Sequence, residues 1–223
     1  MDAELVTAEK YGLFWARSFV EDESGRLIAD GLYIYQPDRF WEPFWVLFDR
    51  LGQLNDYCFN QLVASETKLS ELQAEHERAI EDKASGAEVF DYLSEQIPAW
   101  VDNVAIFAKA APIVLLASFT EWGLKHIAIS LFRGSPKKAD RRMSDIQFYS
   151  GHLVSCGLEV ENIDEFLSRV GIFRSIRNNF AHGKWNEIEK DLQGISLREA
   201  FTGVSDMFEA FEDAAWRRED ALA

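Results

Sequence analysis

The sequence predicts an all-α fold with a small N-terminal β element, on three observations. Helix breakers are sparse, with 13 Gly and 5 Pro in 223 residues. Apolar side chains recur at near-helical spacing over long runs. Seven Trp and 17 Phe supply a sizeable core, while 48% hydrophobic and 27% charged residues exclude fibrous, disulfide-scaffold and wholly disordered classes.

Taken in order, Tyr11 to Val20 and Leu27 to Tyr35 are aromatic and β-branched runs around the turn-like EDESGR, predicting a hairpin cap within residues 1–40. From Pro43 to Lys83 only Gly52 interrupts, and Val46, Leu47, Leu51, Leu54, Cys58 and Leu62 repeat with helical period, predicting one long helix. SGAE at Ser85 to Glu88 breaks it and caps a shorter helix through Gln96, after which Pro98 restarts the chain as a helix from Ala99 to Phe132. Arg133 to Ser144 reads as a loop and Asp145 to Cys156 as a short helix. Asn162-Ile163-Asp164 opens a helix to His182, where Gly183 ends it, and a final amphipathic helix covers Ser196 to Arg218. With no repeat or linker, residues 41–223 are expected to form one helical bundle.

Charge restricts the partners. The net charge of -15 disfavours general duplex binding and attachment to anionic lipid. The distribution is uneven, since residues 1–100 hold 20 acidic and 8 basic side chains whereas residues 101–186 hold 8 acidic and 11 basic. A polyanion is therefore expected to meet the second segment, and a basic partner the acidic N-terminal half. Cys58 and Cys156 form no CxxC pair and have no His at ligand spacing, so they read as buried thiols of a reducing compartment. The acidic start MDAELVTAEK is unlike a secretory signal, and the apolar run Ala110 to Phe119 is too short to span a bilayer. A cytoplasmic protein without membrane contact is expected.

The chemistry concentrates in GIFRSIRNNFAHGKW, Gly171 to Trp185. On a helical wheel Phe166, Val170, Ile172, Phe173, Ile176 and Phe180 make one apolar face, and Gly171, Arg174, Asn178 and His182 a polar one. Asn178 stands one turn before His182, so its amide is placed to hold the imidazole tautomer. Arg177 and His182 point about 140° apart on a continuous helix. Aiming both at one atom therefore requires that the helix end before His182 or that a second chain contribute. The ordinary reading of the same residues is a helix C-terminus, where Arg and His complement the dipole ahead of a Gly cap.

Arg177-Asn178-Asn179-Phe180-Ala181-His182 resembles the Arg-(four to six residues)-His signature of the HEPN superfamily, with a polar residue after the Arg and a small one before the His. The resemblance covers about residues 99–218 and implies a HEPN-like helical bundle with an acidic residue on an upstream helix, for which Glu121 is the candidate. It also implies metal-independent RNA cleavage between two copies of the motif in a homodimer, in a toxin–antitoxin or antiviral setting, without cofactor or metal.

The residue types suit that reaction. Attack of a ribose 2'-hydroxyl on the adjacent phosphate needs a proton acceptor, a proton donor for the 5'-oxygen and a cation for the growing charge. His182 can move protons near neutral pH, Arg177 is permanently charged, and Asn178 completes the candidate catalytic set. Glu121 is a supporting candidate that can orient Arg177 or His182, or else form an ordinary pair with Lys125. Arg174 and Lys184 are further supporting candidates. Lys137, Lys138, Arg141 and Arg142 can guide an RNA strand, or form a solvated loop. His126 and His152 read as structural and His76 as solvent-exposed. No Walker loop, GxGxxG turn, HExxH helix or Ser elbow is present, which leaves nucleotide-driven, redox and metallohydrolase chemistry without support. The competing class is a non-catalytic HEPN-like dimeric module that binds a partner or a nucleotide.

Overall fold

The computed structural model describes residues 3–16, 19–21, 27–29, 33–37, 39–81, 87–132, 136–138 and 143–222. The chain is mostly helical: α1 (Ala3–Tyr11), α2 (Glu42–Glu81), α3 (Ala87–Leu131), α4 (Asp145–Ser155), α5 (Ile163–Ala181), α6 (Trp185–Leu192) and α7 (Leu197–Leu222). Two three-residue strands, β1 (Phe19–Glu21) and β2 (Leu27–Ala29), pair antiparallel with Val20 opposite Ile28. Among the described residues the strands expected on either side of EDESGR are shorter than predicted, because Tyr11 closes α1 and residues 12–16 and 33–37 carry no ladder; 17–18 and 30–32 lie outside the described residues.

The N-terminal segment is fastened to α2 by side chains. Asn55 donates to the Phe14 carbonyl at 2.7 Å and is bonded to the Tyr33 hydroxyl, and the Ala16 amide donates to Asp56 at 2.9 Å. Leu13 and Ile34 are consequently buried in the same apolar cluster as α2, α3 and α7.

Helices α2 and α3 form an antiparallel pair. His76 stacks on Phe90, Tyr57 and Cys58 border the same groove as Ala111 and Pro112, and Gly123 lies against Leu47. The sequence expectation of a break at Pro98 is overturned, since α3 runs through both Pro98 and Pro112 as a single 45-residue helix. A helical proline loses one backbone bond and costs about 3 kcal/mol. Packing against α2 on both sides of the two prolines outweighs that local preference.

One helix, Glu88–Leu131, is long and apolar enough to cross a membrane, its most apolar window having a mean hydropathy of 1.6. That holds by length and composition alone, over the described residues, and the stretch takes in the Ala110 to Phe119 run together with the apolar residues on either side of it. In the fold, Ile113, Leu116, Ala117, Leu124 and Ile127 of this helix are fully covered by its neighbours. The buried Thr120 hydroxyl donates to the Leu116 carbonyl at 2.8 Å, so the helix needs no outside partner for it.

Helix α4 starts on a capping box between Ser144 and Gln147 and ends one residue short of the expected Cys156. Helix α5 follows Asn162, whose φ of 59° is one of the few left-handed backbones Asn tolerates. Helix α7 buries Phe201, Val204, Met207, Phe208 and Phe211 at three- and four-residue spacing and continues to Leu222, four residues past the expected end. The sequence reading missed α6. Its Ile188 and Leu192 are buried at a four-residue interval, but eight residues between two glycines make a short signal.

Candidate functional site

Helix α5 presents the Arg177–His182 motif because its opposite face is held in the core. Val170, Phe173 and Ile176 are buried, and Phe166, Leu167 and Phe180 pack partly against the same cluster. Ile172, at the edge of the predicted apolar arc, is instead 48% exposed. That leaves Arg174, Arg177, Asn178 and His182 on the accessible side, with Arg174 and Arg177 half-buried and Asn178 and His182 exposed.

The helix stops at Ala181, and His182 is its C-cap with φ -101° and ψ 5°. Gly183 follows at φ 64°, a conformation that favours glycine. Its amide donates to the Phe180 carbonyl at 3.2 Å and the Lys184 amide to the Asn179 carbonyl at 2.9 Å, the two bonds of a Schellman turn. Trp185 then opens α6 and locks the turn from outside, edge-on to Phe180 at 5.5 Å and beside Phe107 at 4.9 Å. His182 thus rides on a backbone held by these turn bonds, and its ring makes no hydrogen bond among the described residues.

Arg177 is the fixed member. Its Nη1 donates to Glu121 Oε2 at 2.5 Å, with the two side chains 26% and 22% exposed. Of the three partners open to Glu121 in sequence, the structure selects Arg177 on α5; among the described residues neither His182 nor Lys125 pairs with it. Charge-assisted bonding in a half-buried setting holds the guanidinium more firmly than a surface pair would. One of its five N–H groups is engaged, so a fork remains available for an anion.

Other expectations are redistributed. Among the described residues no hydrogen bond joins the Asn178 amide to the His182 ring; within one chain Asn178 contributes its backbone carbonyl, which accepts the His182 amide at 3.1 Å. Both side chains sit where the helix ends, and neither has a wall to pin it. A Cβ added at Gly171 would meet nothing within 4 Å, so no part of this chain exploits the opening there. Lys184 is exposed beside the turn, and Arg174 has no ion-pair partner among the described residues. In the basic segment, Lys138 is paired with Asp145 at 2.7 Å and Lys137 is exposed, while Arg141 and Arg142 lie outside the described residues.

The remaining titratable candidates serve packing. His76 is not free in solvent, because it stacks on Phe90 at 4.8 Å and bonds the Ser94 hydroxyl at 3.2 Å. His126 stacks on Trp122 with a buried Nε2 that has no hydrogen-bond partner, and burial lowers its pKa against a smaller opposing pull from Glu42. His152, one helical turn before Cys156, places Nε2 3.7 Å from its half-buried sulfur, which corrects the expectation that both thiols are buried with no His at ligand spacing; Cys58 is buried as expected, and burial pushes its thiol up to about 12. Among the described residues no three His, Cys, Asp or Glu side chains converge to hold a metal ion.

Sequence reasoning missed the aromatic surround. Phe107 and Trp122 on α3 and Trp185 on α6 are all exposed near the ends of the Glu121–Arg177 pair and the His182 turn. The available signal was the outward stripe Phe107, Ala111, Leu115 and Trp122 at helical spacing. No protein-family model, curated protein or solved structure matches the chain.

Proposed function

We propose that this chain is a metal-independent endoribonuclease of HEPN type, cleaving RNA at a composite site between two copies of the α5 motif. The single observation that carries the reading is the pairing of a guanidinium anchored by Glu121 with an uncommitted imidazole on a locked turn, in a segment richer in cations than the rest of the chain. Arg177 holds the phosphate with its free N–H fork, and His182 removes the 2'-hydroxyl proton or supplies one to the 5'-oxygen. Two chains related by a two-fold axis would face His182 of one toward the Arg177 or His182 of the other. Exposed Trp122, Phe107 and Trp185 are the apolar material such an interface would cover. In this reading α1 and the β1–β2 hairpin are additions to a HEPN-like bundle, the 137–142 segment guides the RNA strand, and the protein acts in the cytoplasm as a toxin or antiviral component. A basic antitoxin-like partner would bind the acidic N-terminal half.

The competing reading has its own support, since among the described residues nothing orients the His182 ring. A non-catalytic dimeric module that holds RNA or a nucleotide needs only the anchored Arg177.

Mixing an Arg177→Ala chain with a His182→Ala chain separates the two. If each site draws Arg and His from different chains, the heterodimer recovers part of the cleavage of a labelled single-stranded RNA that each variant alone has lost. No recovery, together with RNA binding undiminished in the native chain and no cleavage, favours the binding module. A chain that cleaves RNA while monomeric at micromolar concentration removes the composite site.

The Glu121–Arg177 pair yields a narrower expectation. Glu121→Ala should lower turnover about tenfold or more with a smaller change in KM, because a charge-assisted bond is worth about 1.5–3 kcal/mol and acts here on geometry. Glu121→Gln, which keeps an acceptor oxygen, should fall between. Tighter RNA binding without loss of turnover in Glu121→Ala would mean that Glu121 competes with the substrate instead of positioning Arg177.

A further inference from the structure

A second site lies away from Arg177 and His182. A cavity of about 600 Å³ opens where the end of α1, the middle of α2 and α3, and the α6–α7 link meet. Its volume is that of an ordinary small-molecule pocket. Aliphatic side chains make its body, namely Leu69, Val101, Val104, Ile195 and Leu197. Its charged wall reverses the character of the whole protein: Lys10, Lys109 and Arg198 line it with Glu9, in a chain of 38 acidic and 23 basic side chains.

Two of those cations have no counter-ion among the described residues. Lys109 donates to the Leu192 carbonyl at 2.8 Å, and Arg198 lies over the Tyr33 and Phe14 rings at 4.8 and 5.3 Å. Neither has a carboxylate within ion-pair distance among the described residues. Lys10 differs, being paired with Glu66 at 2.6 Å. In a protein with acids in excess, leaving two cations unpaired beside one cavity forgoes interactions that are otherwise easy to make. Burial lowers the Lys109 pKa, the cost of keeping an ammonium in that wall with only a neutral carbonyl against it. The Ser196 hydroxyl caps α7 by accepting the Glu199 amide at 3.3 Å, which leaves its O–H as a neutral donor beside the two cations.

We propose that this cavity binds a small amphipathic carboxylate, its aliphatic tail against Leu69 and Val104 and its charged end on Lys109 and Arg198. Five aliphatic side chains and Tyr11 supply the apolar lining for a hydrocarbon tail, and the missing counter-ion is the oxyanion itself. Binding would remove apolar surface from water and complete two incomplete ion pairs at once, a combination that neither a neutral hydrocarbon nor inorganic phosphate offers.

Calorimetric titration of the full chain with decanoate tests this, with decyltrimethylammonium, butyrate and inorganic phosphate as comparisons. Saturable 1:1 binding of decanoate is expected, at least tenfold tighter than any of the three. Lys109→Met and Arg198→Met should each weaken it about tenfold or more, the worth of a hydrogen bond to a charged group. Val101→Trp, at a rim position that is 44% exposed and tolerates bulk, should block the mouth and abolish binding without unfolding the chain. The proposal is overturned if decanoate shows no saturable binding, if decyltrimethylammonium or phosphate binds as tightly, or if folded Lys109→Met, Arg198→Met and Val101→Trp all bind decanoate like the native chain.

Discussion

His182→Ala and Arg177→Ala are each expected to reduce RNA cleavage by about 10²- to 10⁴-fold, the usual loss when a proton-transfer group or its charge partner is removed. His182 is exposed and its ring makes no hydrogen bond among the described residues, so the substitution removes no packing. The Schellman turn depends on the backbone of Asn179, Phe180, Gly183 and Lys184 and survives it. Circular dichroism and the melting temperature should therefore match the native chain, which makes lost activity attributable to chemistry. Arg177→Ala is less neutral, because it leaves a half-buried Glu121 carboxylate without its partner, and a modest fall in melting temperature should accompany the loss of cleavage. EDTA should leave the native rate unchanged. Retention of most activity in folded His182→Ala would sink the nuclease reading, and strong inhibition by EDTA would point to metal-dependent hydrolysis.

The largest effect on stability is expected at Phe208. Its ring is 1% exposed, meets Phe119 edge-on at 5.7 Å, and fills the space over Gly123, where an added Cβ would come within 2.5 Å of it. Phe208 is therefore the contact by which α7 supports the stretch of α3 that carries Glu121. Phe208→Ala should destabilise the chain by about 3–5 kcal/mol through lost burial and a residual cavity. Against a total stability of about 5–15 kcal/mol, that is enough to unfold a large fraction on mild heating. Urea unfolding followed by far-UV circular dichroism measures it. The same cavity frees Glu121 to shift, so cleavage by the folded fraction should also fall. A loss under about 1 kcal/mol would mean that α3 and α7 collapse onto each other without this ring.

Helical class, the long α2, the start of α4, the end of α5 and the amphipathic α7 were all legible in the sequence. Each is written in local periodicity or in a cap: Leu47, Leu51, Cys58 and Leu62 repeat with the helical turn, Ser144 and Gln147 form a capping box, and Gly183 permits the left-handed turn that stops α5. Where the answer depended on a distant partner, local reading failed. Pro98 signals a break within a few residues, but α3 continues because α2 lies along it, with Leu93 buried on one side of the proline and Val104, Ala110 and Ile113 on the other, and that burial exceeds the cost of one missing backbone bond. Tyr11 belongs by type to a strand, yet it closes α1 because its hydroxyl reaches Glu66 on α2 at 2.5 Å. The candidate site divides along the same line. The spacing of Arg174, Asn178 and His182 placed them on one polar face and turned Arg177 about 140° from His182, whereas the choice among Arg177, His182 and Lys125 as partner of Glu121 required the packing of α3 on α5. A sequence position determines which way a side chain leaves its own helix; which group it meets there is determined by residues far along the chain, and only the folded structure brings those together.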